Sequence, residues 1–142
     1  MTAGLPLRLW PQEFAVCQLD PQTNFPEPPQ VSKFWALTIT DRERSRVCET
    51  KDLPAGAICE PGWRLIEVVG VLDFSLVGVI AGLSQTLAAA GISIFTISTY
   101  ETDYLLVRAA LVSDACRALE DAGNHFIDQA KSKNEDSIED EL

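Results

Sequence analysis

The residues with most chemistry to offer stand together in one stretch, Ser98-Thr99-Tyr100-Glu101-Thr102-Asp103, set between the apolar runs ISIFTIS and YLLVRA. A plain chain reversal needs only Asn-Gly or Asp-Gly. This one carries hydroxyls, a ring and two carboxylates, a concentration of donors and acceptors beyond what a reversal requires. Other chemistry finds less support. Cys116 and His125 would be the nucleophile and base of a covalent mechanism, but no oxyanion-hole motif or orienting third group accompanies them. Cys17, Cys48, Cys59 and Cys116 are scattered without a Cys-x-x-Cys pair, and His125 is the only histidine, so no zinc site is expected. The cysteines read as small buried thiols in a reducing compartment. A phosphate loop of the G-x-x-x-x-G-K-[ST] type is missing, and no cofactor is expected.

The elements around the polar stretch are legible from 64 to 128. RLIEVVG is a β-branched run, and Leu76, Ile80, Leu83 and Leu87 in DFSLVGVIAGLSQTLAAAG fall at helical spacing. Asp73 is placed to cap that helix and Gly91 to end it. ISIFTIS and YLLVRA read as strands on either side of the polar tip. SDACRALEDAG reads as a second helix, capped by Ser113 and ended by Gly123, with Ala115, Leu119 and Ala122 on its buried face. HFID supplies a short last strand. The order β-α-β-β-α-β is the ferredoxin-like unit, with both helices on one face of a four-stranded antiparallel sheet. Alternation gives the strands apolar residues on both sides, Ile92 and Ile94 against Phe95 and Ile97, so the second face also needs a covering.

The first 60 residues carry candidate strands at 7–10, 14–19, 34–40 and 45–49, a Pro-rich loop DPQTNFPEPPQ and no long helical pattern. They read as a shorter, strand-rich version of the second unit, with 51–62 as the connection. The fold class is therefore α+β, two ferredoxin-like modules at 1–60 and 61–130, followed by a disordered acidic tail at 131–142, KSKNEDSIEDEL lying within it. A net charge of −10 disfavours nucleic acid and anionic membrane as partners, since both attract through Lys and Arg. The start MTAGLPLRLWPQEF lacks a cationic segment followed by a long apolar run, and a cytoplasmic location is expected.

GVLDFSLVGVIAGLSQTLAAAGISIFTISTYETDYLLV resembles the second module of small paired ACT-domain proteins. The signature is similar to that of arginine-sensing ACT proteins and, more distantly, of aspartate kinase regulatory domains. FWALTITDRERSRVCE in the first half adds weaker support. The resemblance implies a non-enzymatic regulatory protein that binds a free amino acid, a basic one included, between modules, and that works as a homodimer because this chain has two modules where the arginine sensors join four. It implies site residues as well: Asp73, Phe74, Ser75 and Leu76 at the loop before the first helix, Ser93 and Ile94 on the facing strand, and Thr99, Tyr100 and Asp103 at the tip.

Physical chemistry fits this set. The start of the first helix, expected at 74–76, would turn amide N–H groups and a positive dipole end toward a carboxylate. Asp103 would meet an ammonium or a basic side chain, Thr99 would add an acceptor, and Tyr100 and Phe74 would form apolar walls. Plainer readings stand beside these: Asp73 as a helix cap, Asp103 as a turn residue, Phe74 as core, Ser93 as a solvated strand position and Tyr100 as an edge cover. The competing function is a dimerisation or docking module whose ligand site is vestigial.

Overall fold

The computed structural model describes residues 4–22, 28–73 and 76–127. Phe74, Ser75 and the acidic tail at 131–142 lie outside the described residues. Seven strands and two α-helices occur among those described, in the order β1 (Pro6–Leu19), β2 (Ala36–Ile39), β3 (Arg44–Glu49), β4 (Ile58–Val68), α1 (Val79–Ala89), β5 (Ile94–Ser98), β6 (Asp103–Arg108), α2 (Val112–Asp121) and β7 (His125–Phe126). The chain divides into two compact units, Met1–Trp10 with Leu65–Leu142, and Pro11–Arg64. The division is therefore not a single cut near residue 60. Strands β1 and β4 each contribute one part to either unit. Pro61 and Gly62, read from composition as part of a connection, lie inside β4, where Gly62 takes a φ of 88° that a side chain would oppose.

In the unit containing the polar stretch, β4, α1, β5, β6, α2 and β7 follow the expected order. The sheet differs from the expected four strands. β7 pairs in parallel with the start of β1, Pro6 opposite His125 and Leu7 opposite Phe126, so the N-terminal strand stands between β7 and β4. A strand's own alternation says which face is buried but not which neighbour it takes, and so the insertion left no mark in the sequence. Both helices pack on one face. Leu83 and Leu87 of α1 and Ala115 and Leu119 of α2 form a buried cluster with Leu7, Ile66, Val68, Leu105 and Val107 from three strands.

Both helices end alike, and the glycines explain why. The Gly91 amide donates to Ala88 (3.0 Å) and that of Ile92 to Leu87 (2.9 Å); the Gly123 amide donates to Glu120 (2.9 Å) and that of Asn124 to Leu119 (3.1 Å). These are Schellman closures, which need a left-handed residue after the cap, and Gly91 and Gly123 have φ of 74° and 103°. The helix starts differ from expectation. Ser113 lies inside the first turn of α2, because the 3-10 turn Ala109–Leu111 already leads into the helix. Asp73 does not cap α1, whose N-cap is Gly78 with φ 83°.

The second unit holds β2, β3 and the adjoining parts of β1 and β4, in the order β2-β3-β1-β4. β1 and β3 pair antiparallel from Phe14 opposite Glu49 to Leu19 opposite Arg44. Phe14 and Phe34 meet edge to face with centroids 5.9 Å apart. Cys17 and Cys59, 42 residues apart, form a disulfide, which corrects the reading of all cysteines as free thiols; Cys48 and Cys116 remain free. Pairing of neighbouring strands creates that proximity, and cysteine spacing cannot report it.

Leu83 is fully buried in the helix-facing cluster. Leu83→Ala should lower unfolding free energy by about 2–5 kcal/mol, the range for a buried leucine truncated to alanine. Urea denaturation checks it, with a reduced midpoint expected.

Candidate functional site

The β5–β6 hairpin places the polar residues. Its ladder runs from Ile94 opposite Val107 to Ser98 opposite Asp103, and the loop then closes on itself. The Thr99 amide donates to the Thr102 carbonyl (2.9 Å), the Thr99 hydroxyl donates to the same oxygen (3.2 Å), and the Thr102 amide donates back to Thr99 Oγ1 (3.4 Å). Ser98 Oγ donates to Asp103 Oδ1 at 2.6 Å across the last rung, which fixes the direction of that carboxylate. Thr102 is 5 % exposed, and its hydroxyl donates to the Val68 carbonyl at the end of β4 (2.5 Å). The Leu72 amide donates to the Glu101 carbonyl (2.7 Å). The tip is thus tied to the segment leading into α1.

These ties form one wall of a cavity of about 420 Å³; the opposite wall is the start of α1. Gly78 opens the helix without a side-chain cap, and the first intrahelical bond runs from the Gly82 amide to the Gly78 carbonyl (2.9 Å). Val79, Ile80 and Ala81 therefore precede that bond while lining the cavity, at the positive end of the helix dipole. Asp73, Glu101 and Asp103 bring three carboxylates to the same lining, which contains no Lys or Arg among the described residues. Next to Asp103, Tyr104 has its hydroxyl pKa raised from the ordinary 10.0, first by burial and then by the nearby charges of Glu67 and Glu101.

The cavity gathers Asp73, Leu76, Thr99, Tyr100 and Asp103 from the sequence-derived set. Ser93 and Ile94 are not on its lining: Ser93 precedes β5 and Ile94 opens it, at the opposite end of the ladder from Ser98. Phe74 and Ser75 lie outside the described residues. Sequence reasoning missed Leu72, Gly78 and residues 79–81 as lining; Ser98, Glu101 and Thr102 stood in the polar stretch it singled out but not in the set the resemblance implied. Gly78 was the available signal, since a glycine inside an apolar helical pattern is as good a boundary as the aspartate before it.

The unit is thus an α+β sheet with two helices on one face and a cavity between the start of the first helix and a hairpin tip. Residues 58–121 match the family model for the ACT domain. The structure is similar to that of protein Atu0741 from Agobacterium tumefaciens, with 26 % identity, a TM-score of 0.80 and coverage of 89 % of this chain and 94 % of that one. It is also similar to the regulatory subunit of aspartate kinase from Thermus flavus, with 16 % identity, a TM-score of 0.62 and coverage of 85 % and 99 %. The corresponding subunit from Thermus thermophilus, in its ligand-free form, gives 16 % identity, a TM-score of 0.57 and coverage of 86 % and 99 %. The likeness to the two kinase subunits is one of fold. Among curated protein sequences nothing matches this chain. No helix among the described residues is long and apolar enough to cross a membrane.

Two outcomes follow from this geometry. Thr102→Val keeps the shape but removes the donor to Val68, and should cost about 1 kcal/mol, the usual net value of such a bond; chemical denaturation measures it. For Tyr104, a folded pKa above the unfolded 10.0 means that its contribution is fully present below pH 10 and is lost as pH rises through the folded value. Tyr104→Phe should therefore flatten the alkaline limb of a stability-versus-pH curve and leave neutral-pH dependence unchanged.

Proposed function

We propose that this chain is a non-enzymatic regulatory protein that binds a free amino acid in the cavity between the α1 start and the β5–β6 tip. The observation that carries this reading is the presence of both complementary poles on one cavity: an uncapped helix N-terminus at 79–81 and carboxylates at Glu101 and Asp103. A zwitterion's carboxylate suits the helix amides, and its ammonium suits Asp103, which Ser98 holds in place. Three lining carboxylates exceed what one ammonium needs, which favours a basic amino acid. The fold is similar to that of two aspartate kinase regulatory subunits, and this likeness supports the regulatory part of the proposal.

The functional state is a homodimer. β5 stands at the end of the strand order, and Leu76, Val77 and Tyr100 are exposed near the cavity, Val77 at 86 % and Tyr100 at 80 %. An edge strand flanked by apolar side chains is a ready pairing surface. A second copy there would bury at least about 1,000 Å² and close the open side of the cavity. The strand-rich unit Pro11–Arg64 is read as a reduced partner module, since its strand order β2-β3-β1-β4 has loops in both helix positions. The same exposed apolar residues favour a second reading, docking or dimerisation with no ligand at all.

Calorimetric titration with arginine, lysine and leucine, paired with sedimentation, separates the two. Binding of a basic amino acid to a dimer is expected, and Asp103→Asn should weaken it about 10- to 100-fold, the equivalent of roughly 1.5–3 kcal/mol for a bond to a charged group. A dimer that binds none of the three supports the docking reading. Equal affinity in wild type and Asp103→Asn removes that carboxylate from the site.

A further inference from the structure

The strand-rich unit Pro11–Arg64 carries a covalent bond that solution chemistry can break and remake, the disulfide between Cys17 of β1 and Cys59 of β4. The two residues belong to neighbouring strands, with Cα atoms 4.1 Å apart. Between them in sequence lie β2, β3 and the 3-10 turn Thr50–Asp52, so the bond closes nearly all of the unit into one loop. No α-helix belongs to this unit among the described residues, and its buried Phe14, Leu19, Phe34 and Val47 are not part of the helix-facing cluster. A small core of this kind depends on a staple more than a large one does.

The two sulfurs differ in access. Cys17 is 2 % exposed, whereas Cys59 is half-buried beside Ile58, which is 73 % exposed, and β4 ends the strand order of this unit. A thiolate arriving from solution therefore reaches Cys59 Sγ, and Cys17 is the leaving group. Cys48 lies on the same sheet face as Cys17: it stands opposite Ala15, and Ala15 and Cys17, two apart on β1, point to one side. It is a buried free thiol whose Sγ donates to the Asp52 carbonyl (3.6 Å). This face already houses a reduced sulfur, and a Cys17 thiol would be a second of the same size. The β1–β3 ladder, from Phe14 opposite Glu49 to Leu19 opposite Arg44, holds β1 without help from the disulfide. Both oxidation states fit one strand arrangement.

We propose that Cys17 and Cys59 form a reversible thiol–disulfide switch, opened at Cys59 by a dithiol, that sets how readily the strand-rich unit opens. The dithiol's first thiolate bonds to Cys59 Sγ, the Cys17–Cys59 bond breaks, and Cys17 leaves as a thiolate and takes up a proton. The second thiolate then attacks the dithiol's own sulfur in this mixed disulfide, and Cys59 leaves as a thiolate and is protonated in turn. Two electrons pass to the protein, and the dithiol departs as its disulfide. An oxidised dithiol reverses both steps. Neither cysteine lines the amino-acid cavity, so the switch is independent of the amino-acid reading.

The full chain, equilibrated with dithiothreitol and its oxidised form over a range of ratios, tests this by acid quench, alkylation and mass spectrometry alongside amide hydrogen exchange. The expected result is a reversible transition between the Cys17–Cys59 disulfide and two thiols in folded protein, without denaturant. Reduction should speed exchange in β3 by about tenfold or more and leave β6 and α2 unchanged, because losing a crosslink lowers the cost of opening the unit it closes. A single-thiol reagent, 2-mercaptoethanol, should be trapped on Cys59 rather than Cys17. Cys59→Ala changes the half-buried position and should exchange like the reduced wild type in either buffer. Equal exchange of β3 in the two forms would overturn the proposal, as would a disulfide that yields only in denaturant or a reduction that unfolds the whole chain. So would a 2-mercaptoethanol adduct on Cys17, or reoxidation to a Cys17–Cys48 bond.

Discussion

Two hydrogen bonds hold the candidate site together: the Thr102 hydroxyl on the Val68 carbonyl and the Leu72 amide on the Glu101 carbonyl. The first is buried, and the second spans 29 residues of chain between the hairpin tip and the exit from β4. Without them the tip would be an ordinary exposed turn, moving independently of the helix start opposite. With them, the chain leaving β4 runs past the tip at fixed distance, and Asp103 and the first turn of α1 line one space. The Thr99–Thr102 closure and the Ser98–Asp103 bond then set the tip's internal shape. A polar tip is needed because its side chains bind neighbouring backbone as well as facing a cavity.

The sequence was most readable where one residue's conformation decides the outcome. Gly91 and Gly123 mark both helix ends because few other residues adopt their positive φ. The strands and α2's buried Ala115 and Leu119 were legible from periodicity, which reports local burial directly. It was least readable where two distant segments decide together. The insertion of β1 beside β7 and the joining of Cys17 to Cys59 both depend on strand neighbours, and neither period nor spacing encodes these. Pro11 also misleads. It would break a central ladder, yet in β1 it lies between the residues that pair with β7 and those that pair with β3.

The start of α1 had the largest consequence for the site. Asp73 has the right type for an N-cap, so the helix amides were expected at 74–76, where its carboxylate would compete with a ligand. Gly78 moves the start onward and leaves the N-terminus without a side-chain cap. Amides at a helix start that no side chain satisfies are groups that an anion from solution can meet, and the proposed ligand carboxylate is assigned there.

The central claim is that a free amino acid sits between the start of α1 and the hairpin tip. Amide NMR during titration with arginine addresses it most directly, because it locates the ligand as well as detecting it. The account predicts saturable shifts at Val79, Ile80 and Ala81 together with Asp103, all following one binding curve. Binding that leaves those four resonances in place would contradict it.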